Sequence, residues 1–257
     1  MADLALANVT GHSLPGLWSD EDEQPIGSSR AAMLMLGPTL MPGWVMPRFY
    51  APIVARLADP ELEVAYHPMP ERGGLGRTDR IVDHFRPLVE RAARRGEQLR
   101  LAGHSLGGIV AWALCHEYPE TIQMAELWAA PLRGTFWAPT GAPVAESRFL
   151  ARSSRFLAQY DKPIDGPFVR SIYTATDALA VPSMVVCPVE GTDVENHLVA
   201  PIPIPRPWRP HRSHQHVLAA GHTLLPRKEE IHRRIAEHDL RAGREWAVPR
   251  REVRAAG

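Results

Sequence analysis

The sequence predicts an α/β fold in which helices flank a mostly parallel central sheet. Three observations carry the prediction. Apolar runs of strand length recur at Ala31 to Leu36, Glu61 to Tyr66, Gln98 to Ala102, Gln123 to Ala130 and Phe168 to Thr174. Segments with apolar residues at helical spacing stand between them, at Arg48 to Leu57, Arg77 to Arg95 and Leu106 to Tyr118, and strands that alternate with helices build parallel sheets. Finally, the hexapeptide Gly103-His104-Ser105-Leu106-Gly107-Gly108 sits at a strand-to-helix junction. Glycines two residues to either side of a serine there permit a turn tight enough to lift its hydroxyl off the sheet. Ser105 is the candidate nucleophile, and the N–H of Leu106, at the first turn of the following helix, is positioned to donate to an oxyanion.

Each element has its own reason. Residues 1–30 carry an acidic run, Asp20 to Glu23, with Pro25 and Gly27, and read as an N-terminal arm without assignable chemistry. Within it, Gly11-His12-Ser13-Leu14-Pro15-Gly16 imitates the serine motif, but Pro15 blocks a helix and no strand precedes it, so it reads as a loop. Ala31 to Leu36 is apolar throughout, as a strand covered on both faces would be, and breaks at Gly37-Pro38. Phe49, Ile53, Val54 and Leu57 make one face of the next helix. His67 ends the second strand, where it either fills space or reaches substrate. Gly73, Gly74 and Gly76 form a flexible turn before a long helix that buries Ile81, Phe85, Leu88, Val89 and Ala92. Arg91, Arg94 and Arg95 suit the C-terminal end of that helix and require no anionic ligand.

Farther on, the pattern loosens over residues 136–166 and resumes at Phe168. Pro201 to Pro210 has too few N–H donors for a central strand or a helix and reads as an extended loop, a stiff rim or surface crossing. His214 to Ala219 is expected as the last strand and Arg227 to Leu240 as the last helix, and 243–257 as a basic tail.

Composition excludes several classes. The 257 residues carry 29 Lys plus Arg against 29 Asp plus Glu, so no field of one sign points to nucleic acid or an acidic membrane surface. Cys115 and Cys187 fall in apolar segments and read as buried free thiols. Met1 to Asn8 lacks the basic and apolar regions of a secretory signal, and no stretch of about 18 apolar residues could span a membrane. A cytoplasmic protein is the expectation. His211, His214 and His216 cluster without accompanying cysteines or carboxylates, so no metal is expected.

The serine hexapeptide, the order of elements and the sequel Pro131-Leu132-Arg133-Gly134-Thr135 together resemble the α/β-hydrolase superfamily, and look most like its compact lipase and esterase group. The likeness covers roughly residues 31 to 240. It implies an α/β-hydrolase domain over 31–242, with 136–166 at the place of a lid or cap. The apolar residues Phe149, Leu150, Phe156 and Leu157 in that segment suit a lipophilic acyl or alcohol group, or a helix packed on the core. The triad acid belongs just past a strand end. Asp177 occupies that place, ahead of Asp161, Asp165 and Asp193. The general base belongs on the loop after the last strand, at His222, so the order Ser105, Asp177, His222 is that of this superfamily. In lipase-like relatives the loop after the first of these strands supplies the second oxyanion donor, but Pro38 here has no N–H. Thr39, by backbone or hydroxyl, is the favoured substitute, with Leu40 the other choice. His104, Leu40 and Trp137 are expected at the substrate.

The resulting expectation is a serine hydrolase acting on a carboxylic ester of a lipophilic small molecule, without a cofactor, membrane span or nucleic acid. Thioester cleavage or acyl transfer from an acyl carrier protein uses the same serine chemistry and is the alternative. A non-hydrolytic protein of this fold with an altered oxyanion hole is a third reading, motivated by Pro38. Oligomeric state is left open.

Overall fold

In the computed structural model the described residues are 32–57, 63–135, 154–174, 177, 194–199 and 225. Six strands, β1 (Ala32–Leu36), β2 (Glu63–His67), β3 (Leu99–His104), β4 (Ile122–Trp128), β5 (Phe168–Thr174) and β6 (Val194–Val199), form one sheet in the order β2-β1-β3-β4-β5-β6. Every pairing is parallel. The helices are α1 (Met46–Leu57), α2 (Thr78–Arg94), α3 (Leu106–Glu117) and the single turn α4 (Arg155–Ala158). Five of the strands and three of the helices stand where hydrophobic periodicity puts them. β6 was not foreseen, and the strand expected at His214 to Ala219 lies outside the described residues.

Register divides the sheet into two faces. Leu34, Leu36, Leu101, Leu127 and Val169 point to one side and join Ile81, Val82 and Phe85 of α2 and Ile109 and Trp112 of α3. Met33, Met35, Ala102, Trp128 and Ile172 point to the other, where Met46 and Tyr50 of α1 cover them. That both faces of β1 are buried explains its unbroken apolar run, since no residue of Met33 to Leu36 is more than 1% exposed. α3 is buried over ten consecutive residues, Leu106 to Cys115, as a helix apolar on all sides must be.

The second face also holds charge. Glu126 and Arg170 are register partners on β4 and β5, joined at 2.9 Å with both side chains at most 1% exposed. Glu126 accepts a second hydrogen bond from Trp128 Nε1 at 3.1 Å, and Arg170 lies over the Phe168 ring.

Of the expected lid, residues 154–166 are described, and they pack on the body of the fold. Phe156, Leu157, Tyr160 and Ile164 enter the core, and Tyr160 donates to Glu117 at the C-terminal end of α3. That end is about 18 Å from the N-terminal end, where Ser105 stands. Arg86 donates to both oxygens of the same carboxylate, so this stretch is stapled to the body. Residues 136–153, Trp137 among them, lie outside the described residues.

Candidate active site

The strand order supplies the location. From β1 the chain steps to β2 on one side, then crosses back to β3 on the other, so the connections after β1 and β3 diverge and leave a crevice at their C-terminal ends. Leu36 is the register partner of Gly103, which sets Gly37 to Leu40 beside His104 and Ser105.

Ser105 has φ 55° and ψ −116°, a conformation that L-residues avoid. Its N–H donates to Trp128 O at 2.9 Å, and its carbonyl accepts from Gly108 N–H at 3.0 Å. Serine at a helix N-cap ordinarily turns its hydroxyl back onto the helix. This one makes no such cap and is half-buried, so Oγ is left for other chemistry. The flanking glycines are steric requirements. A Cβ at Gly103 would lie 2.4 Å from Gly107 O, one at Gly107 would lie 2.3 Å from Leu36 O, and one at Gly108 would lie 2.4 Å from Ala130 Cβ.

The loop after β1 is pinned by backbone bonds. Gly37 N–H donates to His67 O at 3.0 Å, Leu40 N–H to Gly73 O at 2.7 Å and Met41 N–H to Pro38 O at 3.5 Å. Leu40 N–H is therefore occupied, which removes it as an oxyanion donor. Among the described residues neither Thr39 N–H nor Leu106 N–H has a partner. The acceptor for Leu40 comes from an element whose form was not anticipated. The turn read as flexible is a left-handed one, with positive φ at Glu71, Arg72, Gly73 and Gly74 in succession. For the two non-glycine residues this costs about 1–2 kcal/mol each. A Cβ at Gly74 would meet Leu106 Cδ2 at 2.8 Å, so the turn presses on both the elbow and the loop after β1.

Asp177 follows the end of β5, with its N–H on Thr174 O at 3.2 Å and its side chain 1% exposed. Asp161 and Asp165 are exposed, and Asp193 lies outside the described residues. β5 is two strands from β3, a lateral gap of about 10 Å that an imidazole between two hydrogen-bond partners spans. His67 is on the wrong side for this. It ends β2, four strands from β5, edge-on to Phe85 at 5.8 Å. Burial and then the neighbouring His84 lower its pKa to about 4. It is a neutral core histidine.

His104, expected at the substrate, is 1% exposed. Its Nδ1 shares a 2.9 Å hydrogen bond with Tyr50 Oη, and its ring stacks parallel to Phe49 at 6.4 Å. Leu40, by contrast, is 63% exposed beside the crevice, and Trp44 on the same loop is 65% exposed. His222 lies outside the described residues, as do His211, His214 and His216. Leu225 is described, and it is buried with Met35, Ala102, Trp128 and Ile172.

Searches with the sequence find no matching family model and no matching curated protein. Solved structures do match. A structure of the metagenome-derived lipolytic enzymes LipS and LipT aligns with a TM-score of 0.57 at 14% identity, over 83% of this chain and 93% of that one. This chain has the α/β-hydrolase fold. The meta-cleavage product hydrolase of Pseudomonas fluorescens IP01 (TM-score 0.55, 13% identity, 84% of this chain and 92% of that one) is similarly related in shape. So is the monoacylglycerol lipase of Paleococcus ferrophilus (TM-score 0.52, 13% identity, 82% and 94%). Thr39 follows the end of β1, Ser105 that of β3 and Asp177 that of β5. No helix of the described residues is long and apolar enough to cross a membrane.

Proposed function

We propose that this α/β-hydrolase-fold protein is a serine hydrolase that cleaves carboxylic esters of lipophilic small molecules. The observation that carries the reading is the uncapped Ser105 hydroxyl, held on strained backbone at the switch point of the sheet beside two N–H groups without a partner among the described residues. Ser105 Oγ attacks the acyl carbon as His222 takes its proton, and the oxyanion is held by Leu106 N–H and Thr39 N–H. His222 then gives the proton to the departing alcohol, and water repeats the sequence to release the acid. Asp177 orients His222 and stabilises its cation. Leu225 supports this role for His222. It stands three residues away, a chain reach of about 10 Å, and its burial against Ala102 and Trp128 brings the chain to the underside of the β3 and β4 ends. Leu40 and Trp44 offer apolar contact for the substrate, whereas His104 is turned into the core.

Labelling with a fluorophosphonate probe tests the reading. Ser105 should be modified in folded protein, and Ser105→Ala should abolish both labelling and p-nitrophenyl ester hydrolysis while the fold persists. His222→Ala should lose most activity and the rise in rate with pH through about 6.5. Unmodified Ser105 removes the proposal, and faster turnover of acyl-CoA or carrier-bound thioesters than of esters reassigns the substrate.

A further inference from the structure

We infer that Tyr50 is a positioning residue for Ser105, acting through the ring of His104 to hold the elbow and the loop after β1 in one register. The inference rests on Ser105 being the nucleophile. A strained φ of 55° persists only where its surroundings over-determine it. On its C-terminal side Ser105 is held by Gly108 N–H on its carbonyl, and across the sheet by Trp128 O on its own N–H. On its N-terminal side Ser105 follows His104, the last residue of β3, whose ring is hydrogen-bonded by Tyr50 and stacked on Phe49.

Phenylalanine would fill the same space as Tyr50 in its cluster with Met33, Met35, Ala102, Trp128 and Ile172. Tyr50 is 0% exposed, so its hydroxyl is a net cost to the fold unless it is hydrogen-bonded. Its partner is the imidazole immediately preceding the nucleophile, at 2.9 Å. The phenol stays protonated, because burial raises its pKa well above the ordinary value. The same ring leans on Trp128 at 5.9 Å. Trp128 is the residue whose carbonyl holds Ser105 N–H, and its indole is anchored to Glu126 and thereby to Arg170. Both neighbours of the Ser105 peptide thus lead to one wall. Tyr50 also lies on the helix that continues directly from the loop bearing Thr39. A bond from that helix to His104 sets the spacing between the Thr39 N–H and Ser105 Oγ, the distance on which oxyanion stabilisation depends.

The test compares Tyr50→Phe, His104→Asn and His104→Leu with the natural chain, reading the maximal rate of fluorophosphonate labelling separately from probe affinity. Asparagine keeps a hydrogen-bonding atom near the Nδ1 position, whereas leucine does not. Tyr50→Phe and His104→Leu should each slow maximal labelling about tenfold with affinity unchanged, and His104→Asn should recover most of the rate. Labelling of Tyr50→Phe at the natural rate overturns the inference, as does His104→Asn behaving like His104→Leu. If Tyr50→Phe does not fold, the two His104 variants decide alone. Failure of the natural chain to label is a different result, which overturns the serine-nucleophile reading and the inference with it.

Discussion

Gly107→Ala is the sharpest test of the elbow geometry. The new methyl would lie 2.3 Å from Leu36 O and 2.6 Å from Gly37 O, whereas ordinary contact begins near 3.4 Å. Both obstacles are backbone, so no rotamer change relieves them, and α3 and the end of β1 must separate by about 1 Å. The separation occurs where Ser105 and Thr39 face the same crevice, and a misplacement of about 1 Å is worth about 10²-fold in rate. Stability should fall by about 1–3 kcal/mol, the usual range for overpacking. The assay is the rate of fluorophosphonate labelling together with thermal unfolding. Gly96→Ala is the control. Its φ of 67° makes it strained, but nothing lies within 4 Å of the added methyl, so it should lose about 1 kcal/mol and no labelling rate. Undiminished labelling of Gly107→Ala would refute the argument that the helix and the loop after β1 touch through this glycine.

Four other outcomes follow from the same structure. Thr39→Val, which keeps the N–H and removes the hydroxyl, should retain ester hydrolysis, while Pro38→Gly should lower it by loosening a loop whose donor has moved one residue on; a rise in turnover of Pro38→Gly would show that the donor was missing. His67 is held neutral by burial, so below pH 6.5 the unfolded chain binds a proton that the folded chain refuses and stability falls as pH falls. A depression to about 4 corresponds to roughly 3 kcal/mol lost between pH 7 and pH 4, and His67→Phe should flatten that part of a melting-temperature profile. Glu126→Gln leaves Arg170 buried beside a neutral partner and should cost about 3–5 kcal/mol by denaturant unfolding, with Glu126→Leu/Arg170→Met recovering much of it.

The fold was legible because most of its elements bury contiguous apolar surface. β1 shows it as an unbroken apolar strand run, and α2 as Ile81, Phe85, Leu88, Val89 and Ala92 on one stripe. The places of Ser105 and Asp177 just past strand ends were legible for another reason. Both are defined by what stands beside them in the chain, a glycine pair in one case and a strand end in the other. β6 escaped because Val-Glu-Asn-His-Leu-Val interrupts its apolar residues with three consecutive polar ones. Its register against β5, not its composition, makes it a strand.

The features that escaped a residue-by-residue reading are those whose cause lies across the fold. His104 reads as a polar neighbour of the nucleophile, and only the arrival of α1 turns it into a buried group answered by Tyr50. Glu126 and Arg170 are each a lone charge inside an apolar run; seen together, two such charges on adjacent strands are a signal for an internal pair. The left-handed turn at Glu71 to Gly74 is the most instructive case. Its glycines announce a break in structure, but not that the break would be ordered enough for Gly73 O to accept from Leu40 N–H. Under the proposed reading that bond bears on the question raised by Pro38: with proline lacking an N–H and Leu40 N–H consumed, Thr39 N–H is the backbone donor beside Pro38 without a partner among the described residues. The strain at Glu71 and Arg72 is therefore coupled to the site. Relaxing the turn would release Leu40 N–H and let the loop rotate, so the geometry that selects one donor is maintained by residues more than thirty positions away in sequence.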